Sequence, residues 1–218
     1  MAALKGAFID FGAGVLGKLP NIIVFQFNPD QITRTPKLVQ PPPPDTGAGQ
    51  RNTEEQPGKP SESISFTLKL DASDQLAAGN PTAAASGILP TLSALELLMI
   101  PTASLTIDLF SLAGISGPAP HPPDKLPIVL FFWGPLRILP VNVTSLTITE
   151  MLYDTLLNPV RAEVSVNLEV LTPDQIGPGN ALAHGAYDYT LGVKQVMAAL
   201  NLSNAAEIGV SAGRSFSL

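Results

Sequence analysis

Between residues 127 and 170 the hydrophobic positions follow two different rules. Residues 127–134 (PIVLFFWG) are apolar at every position before the glycine, whereas residues 159–170 (PVRAEVSVNLEV) alternate strictly. An uninterrupted apolar run reads as a strand covered on both faces, and strict alternation as a strand with one wet face. Residues 128–133 are therefore expected to be buried on both sides. Arg161, Glu163, Ser165, Asn167 and Glu169 should share one polar face, opposite Ala162, Val164, Val166 and Leu168. Strand-like sequence also fills residues 137–153, and DTLLNP (154–159) reads as the turn into the last strand.

The first half carries the same signals more sparsely. Residues 3–11 read as a short strand, and 12–20 as a turn region. Residues 21–27 (NIIVFQF) form a strand with Ile23, Phe25 and Phe27 on one face, stopped by Asn28-Pro29-Asp30. In residues 63–70, Ile64, Phe66, Leu68 and Leu70 alternate with Ser63, Ser65, Thr67 and Lys69. Residues 40–61, rich in Pro, Gly and polar side chains without apolar periodicity, are expected as an exposed loop. Residues 91–100 fit a helix capped by Thr91 or Ser93, with a Leu92, Leu95, Leu98 and Met99 stripe and Pro101 as its end. After Pro173, Tyr189, Val193, Val196, Met197 and Leu200 are spaced for one face of a helix of about three turns, and the remainder is weakly patterned.

Composition sharpens this picture. The charged fraction is 14%, against ~25% in typical soluble domains, and mean hydropathy is positive. A chain that buries its outside against neighbours has such a composition, although an ordinary Ala-, Pro- and Gly-rich β domain does too. There are no cysteines, which excludes disulfides, thiolate metal sites and cysteine nucleophiles. The net charge is −6 and the basic residues are scattered, which argues against nucleic acid as a partner. The most apolar stretch, residues 88–112, is broken by Pro90 and Pro101 and carries Glu96 and Asp108, so no membrane insertion by this chain is expected. Nor does the N-terminus fit a signal peptide, so cytoplasmic assembly is expected.

Catalytic motifs are present only in outline. Gly12, Gly14 and Gly17 fit G-x-G-x-x-G, but Lys18-Leu19-Pro20 runs into a strand where a dinucleotide site needs a helix. Gly209-Val210-Ser211-Ala212-Gly213 spells G-x-S-x-G, yet both histidines precede it and no acid follows. His121 lies near Asp124 in a Pro-rich loop, and His184 has only Asp188 close in sequence. Glu150, Asp154, Glu163 and Glu169 have no spacing that brings two together. The expectation is no enzymatic activity, no cofactor and no metal. Trp133-Gly134 reads as a core anchor at a hairpin corner, and Arg161 as a partner for a carboxylate on a neighbouring strand or chain.

Four of these pieces occur in one order: Phe25, Phe27, Asn28 and Pro29 in FQFNP, the strand after the long loop, the apolar strand ending Trp133-Gly134, and the final strand opened by Pro159, Arg161 and Ala162. Over about residues 3–172 the chain resembles the tube proteins of contractile injection systems, the phage-tail-like particles. Its length, its Pro-rich insertion and its extra segment 173–218 make it most similar to the baseplate tube-initiator branch. Asp188-Tyr189-Thr190 resembles the entry to the LysM domain that many members carry, but no recognisable LysM domain follows. The resemblance implies a mainly β fold: an antiparallel β-barrel or sandwich of tail-tube type over residues 1–172, with one or two short helices, a helical insertion at 72–126 and a C-terminal helical extension at 173–218. It further implies a non-enzymatic homo-oligomer, a hexameric ring that joins the spike or hub to inner-tube subunits beside other baseplate proteins. Glu163, Ser165, Asn167 and Glu169 would then line the lumen. An ordinary inner-tube subunit and a small-molecule-binding β-barrel are the alternatives.

Overall fold

The computed structural model describes residues 3–10, 21–39, 59–101 and 126–215. Seven antiparallel strands make up one sheet: β1 (Ala7–Asp10), β2 (Asn21–Val24), β3 (Ile32–Val39), β4 (Lys59–Asp71), β5 (Val129–Phe132), β6 (Ile138–Tyr153) and β7 (Pro159–Val170). Their order across the sheet is β2-β1-β5-β6-β7-β4-β3. Three short helices, α1 (Ser73–Ala77), α2 (Pro81–Ser86) and α3 (Leu89–Leu97), follow β4, and a long one, α4 (Ala181–Ser215), follows β7.

The sheet curls. In a flat sheet β1 and β4 would stand four strand spacings, ~19 Å, apart. Instead, the rings of Phe8 on β1 and Phe66 on β4 have centroids 6.2 Å apart. Phe25 lies 5.7 Å from Phe66, and Phe131 of β5 lies 5.4 Å from it. These rings, with Val164, Val166 and Leu168 of β7, form the core, and α3 adds Leu92 and Leu95. Across the gap between the curled ends, Gln26 acts as a backbone surrogate. Its amide nitrogen donates to the Asp71 carbonyl at 2.6 Å, and its amide oxygen accepts from the Asp71 N–H at 2.9 Å.

Local chemistry fixes the helical segment. Asn80 caps α2 by accepting from the N–H groups of Thr82 and Ala83, with Pro81 in the first turn. Gly87 has φ +55, and a Cβ there would lie 2.2 Å from the Pro159 carbonyl oxygen, the oxygen that accepts from the Ile88 N–H. Only glycine permits that approach.

Most of the sequence-based elements are present, with corrections. Phe25 is buried, but β2 ends at Val24, so the chain turns before Phe27, which is 47% exposed and not in the core. β4 begins at Lys59, inside the expected loop, and the rest of that loop, 40–58, lies outside the described residues. α3 starts at Leu89 with Pro90 in its first turn and has no side-chain cap, so neither Thr91 nor Ser93 caps it; its Leu92, Leu95 and Leu98 are buried as expected. α4 runs unbroken through the weakly patterned stretch to Ser215, well beyond three turns. The G-x-S-x-G residues 209–213 lie inside it, with no strand–turn–helix elbow. β3 has no counterpart in the sequence reading. The glycine motif at 12–17, His121 and Asp124 lie outside the described residues.

Candidate functional site

One face of β6-β7-β4-β3 is a continuous polar wall. β7 alternates as expected: Arg161, Glu163, Ser165 and Asn167 are exposed and Glu169 half-buried, while Ala162, Val164, Val166, Leu168 and Val170 are buried. Register carries that face across its neighbours. Ser165 stands between Thr67 and Thr147, Asn167 between Ser65 and Ser145, and Glu163 between Lys69 and Thr149. Thr33 and Thr35 of β3 continue two rows from Ser65 and Ser63. The sequence alone did not place β6 in these rows. A β-bulge between Val143 and Ser145 shifts its alternation, so that Val141 and Val143 face the core before it and Leu146 and Ile148 after it. Thr144, at the bulge, donates to the Asn167 carbonyl at 3.0 Å.

Several polar groups of the wall pair with one another. Asn167 donates to Ser145 Oγ at 2.9 Å. Arg161 pairs with Asp71 at 2.7 Å, the carboxylate partner on a neighbouring strand that its position implied. Hydrogen bonds from Ser73, and then the Arg161 guanidinium, hold the Asp71 carboxyl below its ordinary range. Lys69 pairs with Asp30 at 3.0 Å, and that hydrogen bond raises its ammonium above the ordinary value. A shallow groove of about 420 Å³, lined by Asp30, Thr33, Ser65, Thr67, Lys69 and Ser165 among others, runs over this face. Glu150, Asp154, Glu163 and Glu169 are not gathered into an acid pair: Glu163 stands opposite Lys69, while Asp154 is absorbed by the turn it builds.

Both lateral edges of the wall are open among the described residues. β3 pairs only with β4. β6 pairs with β5 only over Ile138–Val141, because β5 has four residues and β6 sixteen, so residues 143–153 have β7 on one side and no strand on the other. The two edges differ. β3 carries Arg34, Pro36 and Lys37, residues that blunt an edge, while residues 142–153 of β6 hold no Pro, Lys or Arg.

The remaining motif residues serve the sheet itself. Asn28 ties the chain after β2 to the N-terminal segment, accepting from the Gly6 N–H and donating to the Leu4 carbonyl, both at 2.9 Å. Pro29 is half-buried beside it. Trp133 is half-buried and stacks on Phe131, with centroids 6.0 Å apart. Gly134 takes φ +80 in the β5–β6 turn. The run 128–133 is buried on both sides through Val129, Leu130 and Phe131 and half-buried at its two ends.

α4 closes the end of the sheet where β7 stops. Thr190 Oγ1 donates to the Ile138 carbonyl at 2.6 Å and accepts from the Ile138 N–H, satisfying β6 where no β7 residue reaches it. Lys194 bonds Glu62 at 3.0 Å, and Arg34 of β3 bonds the other oxygen of the same carboxylate. Burial opposes ionisation of Glu62, but the Lys194 and Arg34 hydrogen bonds outweigh it and hold the carboxyl below its ordinary range. Tyr189, Val196, Met197 and Leu200, expected on one apolar helix face, are substantially exposed. His184 lies half-buried near the start of this helix.

No helix among the described residues is long and apolar enough to cross a membrane. No protein-family model matches the chain, and no curated protein matches its sequence. Among the described residues the fold is mainly β, a seven-stranded antiparallel sheet with four helices.

Proposed function

We propose that this chain is a structural subunit that joins edge to edge with copies of itself into a ring of tail-tube type, with the polar wall lining its channel. In a phage-tail-like contractile particle, the ring joins the spike or hub to the inner tube and starts tube assembly. The observation that carries this reading is the four-stranded polar wall with an edge open on each side among the described residues. Four is an even number of strands, so β3 of one copy meets β6 of the next in antiparallel sense under rotation, and the alternation continues around the ring. Six copies, the number the family resemblance implies, would supply about 24 strands; at ~4.8 Å spacing and ~40° tilt the wall would be about 50 Å across. A face of hydroxyl and amide groups without an apolar patch offers a passing chain little to bind.

The interior argues against a small-molecule barrel. Phe8, Phe25, Phe66, Phe131 and Leu95 fill the inside of the curl, so its apolar side chains are consumed in packing. The initiator role, as opposed to that of an ordinary tube subunit, rests on the family resemblance and on the segments that exceed a tube domain.

Hydrogen exchange on the assembled protein tests the ring. Backbone amides of residues 32–39 and 143–153 that exchange quickly in the monomer should become protected when rings form. A chain that stays monomeric at all concentrations, alone and with tube and hub proteins, would sink the reading, as would rings that leave both edges unprotected.

A further inference from the structure

Glu62, near the start of β4, is a carboxylate only 8% exposed, and its two oxygens serve two different elements. Oε1 accepts from Arg34 Nε of β3 at 2.6 Å, and Oε2 accepts from Lys194 Nζ of α4 at 3.0 Å. α4 packs chiefly on β6. Between it and the ends of β3 and β4 lies a cavity of about 220 Å³, lined by Pro36, Pro60, Glu62, Tyr187, Thr190 and Lys194 among others. The carboxylate therefore spans a gap that apolar packing leaves open.

β3 needs such a tie. It pairs only with β4 among the described residues, and Pro36, which stands opposite Glu62 in register, has no N–H to donate. The Arg34–Glu62 bond crosses from β3 to β4 beside that weak point. Its strength depends on water. An exposed ion pair contributes little, whereas the same pair shielded from solvent interacts more strongly. Tyr187, Thr190, Leu191 and Lys194 of α4 line the same cavity as Glu62, so lifting α4 would open the carboxylate to water on that side.

We propose that α4 regulates the lateral β3 edge through Glu62. With α4 docked, the shielded carboxylate pins Arg34 and holds β3 on β4. With α4 lifted, the bridge weakens and β3 loosens around Pro36. Coupling of this kind is reciprocal, so a strand that joins β3 tightens α4 in return. The consequence for assembly rests on the ring reading: the β3 edge accepts a neighbour only while α4 is docked. The coupling itself is a property of the single chain.

Hydrogen exchange on the monomer tests the coupling. Thr190→Val keeps the side-chain shape and removes the hydroxyl that bonds Ile138, while Glu62, Arg34 and Lys194 stay in place. The β3 amides bonded to β4 should then exchange about tenfold faster, with β5 and β7 amides unchanged. In a Glu62→Gln background β3 is already loosened, and adding Thr190→Val should change its exchange less than about twofold. Unchanged β3 exchange, equal acceleration across the whole sheet, or the same acceleration in the Glu62→Gln background overturns the proposal. If Thr190→Val does not fold, Lys194→Gln, at a side chain 49% exposed, carries the same comparison. Rings supply the reciprocal reading. Amides of residues 181–194 should gain protection when rings form, although α4 lies away from the lateral edges, and Thr190→Val should lower ring yield. Rings that leave α4 exchange unchanged overturn the coupling and leave the ring standing. Absence of rings from every variant and from the parent chain counts against the ring, and the monomer comparison still decides the coupling.

Discussion

The two faces of β7 can be exchanged chemically without changing side-chain shape. Val164 and Val166 are 0% and 1% exposed, and threonine is nearly isosteric with valine. Val164→Thr with Val166→Thr therefore keeps volume and β-branching and adds only two buried hydroxyls. Each should cost about 1–3 kcal/mol, so the pair costs about 2–6 kcal/mol against a domain stability of ~5–15 kcal/mol. The mirror change, Thr67→Val with Thr147→Val, removes hydroxyls from the two wall positions that flank Ser165. Only a 3.4 Å contact between Thr67 and Ser165 is lost, so each should stay within about 0.5 kcal/mol. With a urea m-value of about 2 kcal/mol/M, the core pair should lower the midpoint by about 1–3 M and the wall pair by almost nothing. Ring yield should follow the same order. Equal midpoint shifts for the two pairs would refute the assignment of faces, and the channel argument with it.

Other perturbations probe the supports of the sheet. Gly87→Ala drives a methyl into the Pro159 carbonyl at a positive φ and should cost about 2–4 kcal/mol in chemical unfolding. Trp133→Ala removes a half-buried ring stacked on Phe131 and should cost about 2–3 kcal/mol, measurable as a drop in melting temperature. Glu62→Gln leaves Arg34 and Lys194 without their shared anion and should loosen α4 by about 2 kcal/mol, seen as faster exchange of its amides. Acid should do the same to the native protein. The folded pKa of Glu62 lies below its ordinary 4.5, so its contribution is whole above that value and is lost as pH falls through the lower folded one. Faster α4 exchange already near neutral pH would contradict this.

The sequence revealed what depends on one strand at a time and concealed what depends on two. Alternation placed Val164, Val166 and Leu168 of β7 and Ile64, Phe66, Leu68 and Leu70 of β4 correctly, because a period of two is a local property. β3 escaped notice because Pro36, Arg34 and Lys37 break the pattern of a buried strand, and those are the residues an edge strand carries. The β6 rows were hidden by the bulge at Val143/Ser145, which shifts the alternation midway. Phe27 looked like a core residue by parity with Ile23 and Phe25, but parity holds only while the strand lasts, and β2 ends at Val24. The open edge of β6 follows from the mismatch between its length and that of β5, and the docked start of α4 from partners far apart in sequence, such as Thr190 with Ile138 and Lys194 with Glu62.

In the proposed ring, that length mismatch would also decide how copies meet. A strand with eleven residues that have no partner strand on one side among the described residues, and no lysine, arginine or proline among them, would be a site of indiscriminate association in a free monomer. Two β3 edges brought together would set Arg34 and Lys37 against their own copies, with Pro36 contributing no donor. Two β6 edges would meet without repulsion from basic residues, yet would leave both β3 edges open and end growth at a pair. Unlike edges would meet without either penalty: the basic, proline-interrupted β3 edge would abut a β6 edge on which Glu150 is the one charged residue among 142–153. Pairing of unlike edges is heterologous, and a heterologous contact within one curved wall either closes into a ring or continues as a helix. The rotation between copies decides which, because the curl that brings Phe8 against Phe66 bends the sheet around its apolar face, opposite the polar wall, and does not itself close a channel.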